Sequence, residues 1–322
     1  MRAVVFAYHN IGHVCLQELV RQEHDVAAVV THEDDPQEEI WFASVPRLAR
    51  DLGLALHTPA DPNAPEFAAL LRSLRPDIMF SFYYRHMLKA PLLGLPPRGC
   101  LNLHGSYLPR YRGRCPVNWV LINGETETGV TLHYMVEKPD AGDIVAQRRV
   151  PIAFEDTALT LYEKMTAAAA GLFAEVLPEL AAGRAPRLPQ DHSQASYYGG
   201  RRPEDGRFQW TESALRVYNL VRAVTHPYPG AFVDCGGQSL LVWQCRPVPA
   251  AEVGDPGGAA PPAPGTVLAL GPEGPVVATR EGLLLLLAVQ VGSGPEMTGS
   301  QFVAHYPLAV NEQLALPADK ES

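Results

Sequence analysis

Short apolar runs alternate with amphipathic stretches through the first half of the chain, and this alternation limits the possible folds more than any other feature. Residues 4–7, 26–30, 78–82 and 100–103 are short, mostly apolar runs that predict strands. The stretches at 14–21, 45–51 and 67–74 carry apolar residues three and four positions apart, which predicts helices. Strands that alternate with helices are typical of βαβ units, so we expect an α/β domain with a mostly parallel sheet.

The pattern changes after residue 128. Residues 129–135 and 143–152 predict further strands, and 157–177 predicts one long helix that Pro178 is expected to end. Short strand signals at 230–234, 239–244, 265–270, 276–279 and 282–291 then surround one helical stretch at 213–224, which predicts a small β-barrel-like domain. We place an N-terminal domain at 1–188, a linker at 189–203 and a C-terminal domain at 204–312. The segment at 247–265 is rich in Pro and Gly and is expected to be a surface loop.

Composition excludes several classes of protein. The 322 residues are 47% hydrophobic and 19% charged, which favours a folded chain of two domains. The 35 acidic residues outnumber the 26 Lys and Arg, and the formal charge of −9 weighs against a nucleic acid partner. We see no signal peptide or membrane span, and the five cysteines lack metal-ligand spacing, so we expect a cytoplasmic protein with reduced thiols and no metal. The single Gly12 after the first strand argues against a dinucleotide fold, which needs three glycines.

The most informative polar residues follow the fourth predicted strand. Asn102 and His104 are two positions apart and therefore point to the same side of the sheet, at the carboxyl end where open α/β sheets bind ligands. Arg110, Arg112 and Arg114 come directly afterwards. Burying such polar groups is costly unless they face a charged ligand, so we predict a ligand site here.

A loop with three carboxylates, Glu137, Asp140 and Asp143, follows about 35 residues later. Solvated positions at a hairpin tip account equally well for Glu137 and Asp143. If the loop folds back, Asp140 can hydrogen-bond His104, fix its tautomer and create an acid/base pair. No Ser or Cys lies in a nucleophile elbow, so the residues favour a reaction in which the protein moves protons and stabilises an oxyanion. Acyl transfer to an external amine is the simplest such reaction.

These residues resemble those of the folate-dependent formyltransferases. The shared motifs are Asn102-x-His104, the run from Ser106 through Leu108-Pro109 to Tyr111-Arg112-Gly113, and the Asp140-x-Gly142 loop. Further matching strings are found at 4–9, 80–86, 118–121, 123–133, 199–203, 221–224 and 297–301. The resemblance covers about residues 1–305 and is densest from 78 to 147. Within the family, the chain most resembles the formyltransferase half of the bifunctional polymyxin-resistance enzymes, which act on UDP-4-amino-4-deoxy-L-arabinose.

The resemblance implies a Rossmann-like N-terminal domain that binds 10-formyltetrahydrofolate and a C-terminal barrel similar to an OB fold. By the same resemblance, Asn102, His104 and Asp140 match the catalytic residues. The positions that match folate contacts are His86, Met87, Leu88, Arg114, Val136, Glu137, Lys138, Pro139 and Asp140. The implied reaction is attack of a sugar amine on the formyl carbon. The Asn102 amide would hold the oxyanion, while His104 and Asp140 would move the proton toward the folate nitrogen.

The implied substrate is a nucleotide-linked 4-amino sugar, most simply UDP-4-amino-4-deoxy-L-arabinose for lipid A modification and polymyxin resistance. The chain ends at Ser322 without a dehydrogenase half, so we expect a separate enzyme to supply the amino sugar. Related enzymes formylate other 4-amino sugars, and the exact sugar stays open.

Three alternatives share parts of this pattern. A methionyl-tRNA formyltransferase would use the same chemistry, but five carboxylates between residues 33 and 39 would repel a nucleic acid. A 10-formyltetrahydrofolate hydrolase could use the same three residues with water as acceptor, although water needs no large acceptor domain. A non-catalytic folate-binding regulator would gain nothing from a proton shuttle.

Overall fold

A computed structural model describes residues 1–33, 40–249, 251 and 262–316 of the chain. Residues 34–39 of the acidic run, and residue 250 and residues 252–261 of the Pro- and Gly-rich segment, lie outside the described residues. The chain forms two units. The first comprises Met1–Pro116, Thr126–Ile152 and Leu161–Gly200, and the second comprises Val117–Glu125, Ala153–Thr160 and Arg201–Ser322.

The N-terminal unit is built on a seven-stranded sheet with the order β3-β2-β1-β4-β5-β7-β8. Its strands are β1 (Arg2–Ala7), β2 (Asp25–Val30), β3 (Leu56–His57), β4 (Ile78–Phe82), β5 (Cys100–His104), β7 (Glu127–Tyr134) and β8 (Ile144–Pro151). The strands β1 to β5 pair in parallel, whereas β7 and β8 add in antiparallel orientation. This arrangement confirms the predicted Rossmann-like α/β fold with a mostly parallel sheet. Two further two-residue strands, β6 (Arg112–Gly113) and β9 (Tyr197–Tyr198), pair with each other.

The helices along this part of the chain are α1 (His9–Arg21), α2 (Val45–Asp51), α3 (Pro65–Ser73), α4 (Ala90–Leu93), α5 (Pro116–Ile122) and α6 (Ala158–Ala181). The first helix begins at His9, five residues earlier than predicted, directly after β1. Gly12 permits its close approach to the sheet, because a Cβ at this position would lie 3.1 Å from the Cβ of Ala7 and 3.2 Å from the carbonyl oxygen of Phe82. Gly12 therefore has a packing role.

The helix α6 continues through Pro178, contrary to our expectation that this proline would end it. A proline has no N–H and so cannot donate to the carbonyl four residues earlier, which here belongs to Ala174. The side chain of Gln22 donates to that carbonyl from Nε2 at 3.0 Å. A contact that is distant in sequence thus replaces the missing helical hydrogen bond.

The C-terminal unit contains an antiparallel sheet with the order β10-β11-β14-β13-β12, and β15 pairs with β14. The elements are α7 (Ala214–Val224), β10 (Ala231–Cys235), β11 (Gln238–Val248), β12 (Val267–Leu270), β13 (Pro275–Ala278), β14 (Leu283–Val291), β15 (Glu296–Thr298) and α8 (Gly299–His305). The predicted second β domain is therefore present, with β15 and α8 added to the elements that the sequence indicated. Among the described residues, no helix has the length and apolar character needed to cross a membrane.

Two earlier chain segments also belong to the C-terminal unit, and hydrogen bonds with α7 attach them. Asn118 donates from Nδ2 to the carbonyl of Ala223 at 2.7 Å. The buried guanidinium of Arg222 donates from Nη1 to the carbonyls of Ala153 and Asp156, each at 3.3 Å. These bonds connect α7 to the backbone of both segments.

Candidate active site

The strand β5 ends in a group of polar side chains that converge on one carboxylate oxygen. Asp140 Oδ1 lies 3.4 Å from Asn102 Nδ2 and 3.6 Å from His104 Nδ1. Asn102 and His104 alternate along the strand, so both reach the same side of the sheet. The loop between β7 and β8 brings Asp140 to them from 36 residues further along the chain than His104.

One ring nitrogen of His104 is oriented by a backbone carbonyl, and the other lies near Asp140. Its side chain is almost fully buried, and Nε2 lies 2.8 Å from the carbonyl oxygen of Tyr111. A carbonyl only accepts, so Nε2 carries a proton. The other nitrogen, Nδ1, faces Asp140 and is the atom that can exchange a proton with a substrate.

Asp140 is held as a carboxylate. Burial alone would raise its pKa, but the charges of His104 and His133 and the hydrogen bonds from His133 and the Gly113 N–H hold the pKa well below its usual range. The Gly113 N–H donates to Oδ2 at 2.8 Å, which leaves Oδ1 for Asn102 and the imidazoles. Asp140 therefore stays negatively charged at neutral pH and can stabilise an imidazolium beside it.

A second imidazole, His133, belongs to the same group and was missed by our sequence analysis. It lies opposite Asn102 on β7, with Nε2 at 3.2 Å from Asn102 Nδ2 and 3.5 Å from Asp140 Oδ1. Its other nitrogen contacts the carbonyl of Tyr134 at 2.9 Å. The alternation of polar Thr131 and His133 with apolar Val130 and Leu132 was a signal that could have indicated it.

Glycines make the loops around these side chains possible. Gly113 has φ of +99°, and a Cβ there would lie 2.3 Å from the carbonyl oxygen of Tyr198. A Cβ at Gly142 would lie 1.9 Å from the carbonyl oxygen of Tyr134. Both loops approach neighbouring backbone more closely than any side chain allows, and this approach holds Asp140 against β5.

The residues predicted to contact folate occupy three places in the N-terminal unit. Met87 is 51% exposed in the loop after β4, next to exposed His86, whereas Leu88 is buried in the core. Arg114 is exposed directly after β6. The remaining positions, Val136, Glu137, Lys138 and Pro139, are exposed in the loop that leads to Asp140. The Leu88 side chain is therefore committed to packing, while the others are accessible.

Aromatic and imidazole rings form a further cluster at the carboxyl ends of β1, β2 and β4. The His9 ring stacks on Phe42 with centroids 3.9 Å apart, and its Nδ1 lies 2.6 Å from the hydroxyl of Tyr162. Burial and the charge of Arg85 lower the pKa of His9 to about 3. The sheet order reverses between β1 and β4, which is where ligands commonly bind in open α/β sheets.

His32 belongs to the same cluster. It accepts from the Arg85 backbone N–H at 3.0 Å and stacks on Tyr84 with centroids 4.3 Å apart. Burial, followed by the charges of His86 and Arg85, lowers its pKa to about 4. Our sequence analysis identified neither His9 nor His32, because an isolated histidine after a strand gives no specific signal. Across the described residues, we find no group of three His, Cys, Asp or Glu side chains arranged to bind a metal ion.

Comparison with known proteins covers both units. The formyl transferase family model matches residues 1–177, and the model of the formyl transferase C-terminal domain matches residues 201–307. The first match alone includes more than half of the chain.

Three solved structures show the same fold at low sequence identity. The N-formyltransferase from Helicobacter canadensis, solved with folinic acid and dTDP-3-aminofucose, is 18% identical with a TM-score of 0.67, and the match covers 88% of this chain and 98% of that one. The sugar 3N-formyl transferase WlaRD, solved with dTDP and 5-N-formyl-THF, is 16% identical with a TM-score of 0.65 and coverages of 92% and 99%. HypX from Aquifex aeolicus, solved with tetrahydrofolic acid, is 21% identical with a TM-score of 0.61, and this chain spans only 47% of its length.

Proposed function

The chain belongs to the formyl transferase family, and we propose that it transfers the formyl group of 10-formyltetrahydrofolate to the amino group of a nucleotide-linked sugar. The specific acceptor that we propose is UDP-4-amino-4-deoxy-L-arabinose, as the resemblance of the sequence motifs implies. In that case a separate enzyme must supply the amino sugar, because amine introduction is a different class of reaction.

The arrangement of Asn102, His104 and Asp140 is the observation that carries the proposal. These side chains meet at Asp140 Oδ1, at the carboxyl end of β5, without an activated nucleophile among them. Such a site can bring two substrates together, remove a proton from an amine and stabilise an oxyanion. Both domains of the family are matched, and solved relatives in complex with folates and with a dTDP-linked amino sugar add support for the two substrates.

We assign the following roles to the catalytic side chains. The sugar amine attacks the formyl carbon, and the negative charge that develops on the formyl oxygen is stabilised by the Asn102 amide. One Asn102 N–H faces Asp140 at 3.4 Å, which is long for a hydrogen bond, so this N–H can turn toward the oxyanion. His104 takes the amine proton at Nδ1 and returns it to the departing folate nitrogen, while Asp140 stabilises the imidazolium between these two steps.

The accessible positions predicted to contact folate have the chemistry that this ligand requires. Met87 and Val136 are 51% and 44% exposed, and such apolar side chains can pack against a pteridine ring. Arg114 and Lys138 are exposed cations that can pair with the carboxylates of a folate. The buried side chain of Leu88 does not fit this role, so only its backbone could contact the ligand.

The experiment that tests this function is incubation with 10-formyltetrahydrofolate and a panel of acceptors, followed by mass spectrometry of the products. The panel contains UDP- and dTDP-linked amino sugars, methionyl-tRNA and water alone. We expect formylation of UDP-4-amino-4-deoxy-L-arabinose and little reaction with methionyl-tRNA. Preference for another sugar would change only the substrate, whereas formate release without an acceptor would contradict transfer.

A further inference from the structure

We propose that Gln190, held by Arg112, is a positioning residue that fixes the Asp140 loop for proton transfer. This inference rests on the proposed function, since it assigns Asp140 a catalytic role. Gln190 lies in the segment that our sequence analysis interpreted as an interdomain linker, 50 residues after Asp140.

The amide of Gln190 bridges the loop and the arginine. Its Nε2 donates to the carbonyl of Asp140 at 2.8 Å and to the carbonyl of Gly142 at 2.7 Å. Its Oε1 accepts from Arg112 at 2.6 Å from Nη2 and 3.2 Å from Nε. A guanidinium only donates and carbonyls only accept, so both ends of the amide are determined and it cannot flip without losing these bonds.

Arg112 is itself fixed on several sides. Its side chain is completely buried, and it donates from Nη1 to the Tyr197 hydroxyl at 2.6 Å. Its Nη2 lies 3.0 Å from Nδ1 of His192. These partners come from the same short segment as Gln190. A buried guanidinium with so many defined contacts has little freedom, and therefore gives the amide a rigid support.

The same segment also binds the backbone next to the groups that contact His104 and Asp140. Ser196 accepts from the backbone N–H of Tyr111 through Oγ at 2.8 Å and from that of Arg112 through its carbonyl at 2.9 Å. The Tyr111 carbonyl orients His104, and the Gly113 N–H binds Asp140 Oδ2. Residues 190–198, which we call the strap, therefore hold the supports of both catalytic side chains.

The Asp140 backbone needs such support. Its φ is +51°, in the left-handed region that residues with a Cβ rarely adopt. Conformations of this kind persist at functional sites only where surrounding contacts hold them. Gln190 supplies one such contact at the carbonyl of Asp140 itself, and a second at Gly142.

Three variants separate positioning from simple structural support. Gln190→Ala removes both ends of the bridge. Gln190→Glu keeps an acceptor for Arg112 but cannot donate to the two carbonyls when ionised. Gln194→Ala is the matched control, since Gln194 is an exposed residue of the strap that donates to Asp191 and contacts neither Asp140 nor Arg112.

Steady-state kinetics with the accepted amino sugar is the first measurement. We expect kcat to fall about 10²-fold in Gln190→Ala and in Gln190→Glu, because small displacements of a reacting group cost about this much. We expect KM for both substrates to change little, since Gln190 binds neither. The control variant should keep the wild-type kcat. If Gln190→Glu restored the wild-type rate, the amide would only satisfy Arg112 and the proposal would be wrong.

The pKa of Asp140 gives a second measurement that does not depend on turnover. The carboxyl ¹³C resonance of Asp140, assigned with Asp140→Asn, is titrated in the wild type and in each variant. In Gln190→Ala the pKa of Asp140 should rise toward the ordinary value of about 3.9, because the carboxylate moves away from the imidazoles and the Gly113 N–H. An unchanged pKa would overturn the proposal. If the wild type formylated no acceptor, the proposed function would fail, and this titration would still test the positioning of Asp140.

Discussion

Two buried arginines, Arg112 in the N-terminal unit and Arg222 in the C-terminal unit, show how differently the two units use buried polar groups. Their relative exposures are 0% and 6%. Arg222 donates to the Asn219 side chain and to the carbonyls of Ala153 and Asp156, so its bonds end on an adjacent chain segment. Arg112 donates to a glutamine that in turn holds the backbone of Asp140.

The difference lies in what each network leads to. In the C-terminal unit, the hydrogen bonds attach two earlier chain segments, and we expect them to contribute to stability. In the N-terminal unit, the bonds converge on a carboxylate beside two imidazoles. We expect them to fix the positions of the reacting groups. Two arginines with similar burial and the same chemistry can therefore have different roles.

Replacing the catalytic pair should have the largest effect. Loss of an acid/base group typically lowers a rate by about 10² to 10⁴, so we expect His104→Ala and Asp140→Asn each to lose most of their turnover. Folate binding, measured by fluorescence titration, should remain close to that of the wild type for His104→Ala. Near wild-type turnover in either variant would show that the N-terminal network is not catalytic.

The two arginines give a direct test of the comparison. Arg112→Met leaves the Gln190 oxygen without its main donor and should lower both kcat and the free energy of unfolding. Arg222→Met removes the donor to the Asn219 side chain and to two backbone carbonyls, and should lower the free energy of unfolding by about 1–3 kcal/mol while kcat is unchanged. Urea denaturation and steady-state kinetics on both proteins check this prediction. Equal loss of activity in the two variants would contradict the different roles that we assign to the two arginines.

We expect histidines of the N-terminal unit to make the free energy of unfolding sensitive to acid. His9 and His32 have pKa values lowered to about 3 and about 4 in the folded protein, against about 6.5 when unfolded. Between about pH 4 and pH 6.5, the unfolded chain therefore binds up to about two more protons than the folded protein. The free energy of unfolding then decreases as the pH drops from about 6.5 toward 4. Substituting His9 and His32 by Gln should flatten this dependence in urea titrations at several pH values. An unchanged pH dependence in the double variant would contradict this assignment.

The smallest predicted effect concerns a contact that only supports the fold. Gln22→Ala removes the donor to the Ala174 carbonyl and should lower the free energy of unfolding by about 1 kcal/mol, with no change in kcat. Pro178→Ala restores a backbone N–H for that carbonyl. In a double-mutant cycle, Gln22→Ala should therefore cost less in the Pro178→Ala background. Equal costs in both backgrounds would show that the two positions are independent.

Much of the scaffold could be predicted from local patterns. The alternating apolar runs and amphipathic stretches indicated most of the strands and helices. Asn102 and His104 at the end of β5 indicated the site, because a strand places alternate residues on one side. His133 was predictable in principle from the same alternation on β7. Gln190 was not, because its partners at Asp140 and Gly142 are 50 and 48 residues away in sequence. The strap also has a composition typical of a linker, so nothing local indicates that it pairs with β6.

The sequence by itself indicated most of the strands and helices, because the spacing of apolar residues is a local property of each segment. It also determined the chemical types available at the end of β5. Only the tertiary structure decided which carboxylate faces His104, what holds that carboxylate in a left-handed backbone conformation, and how α6 continues through a proline. Each of these depends on hydrogen bonds between segments far apart in the chain, and such bonds form only when the fold has brought their donors and acceptors to within about 3 Å.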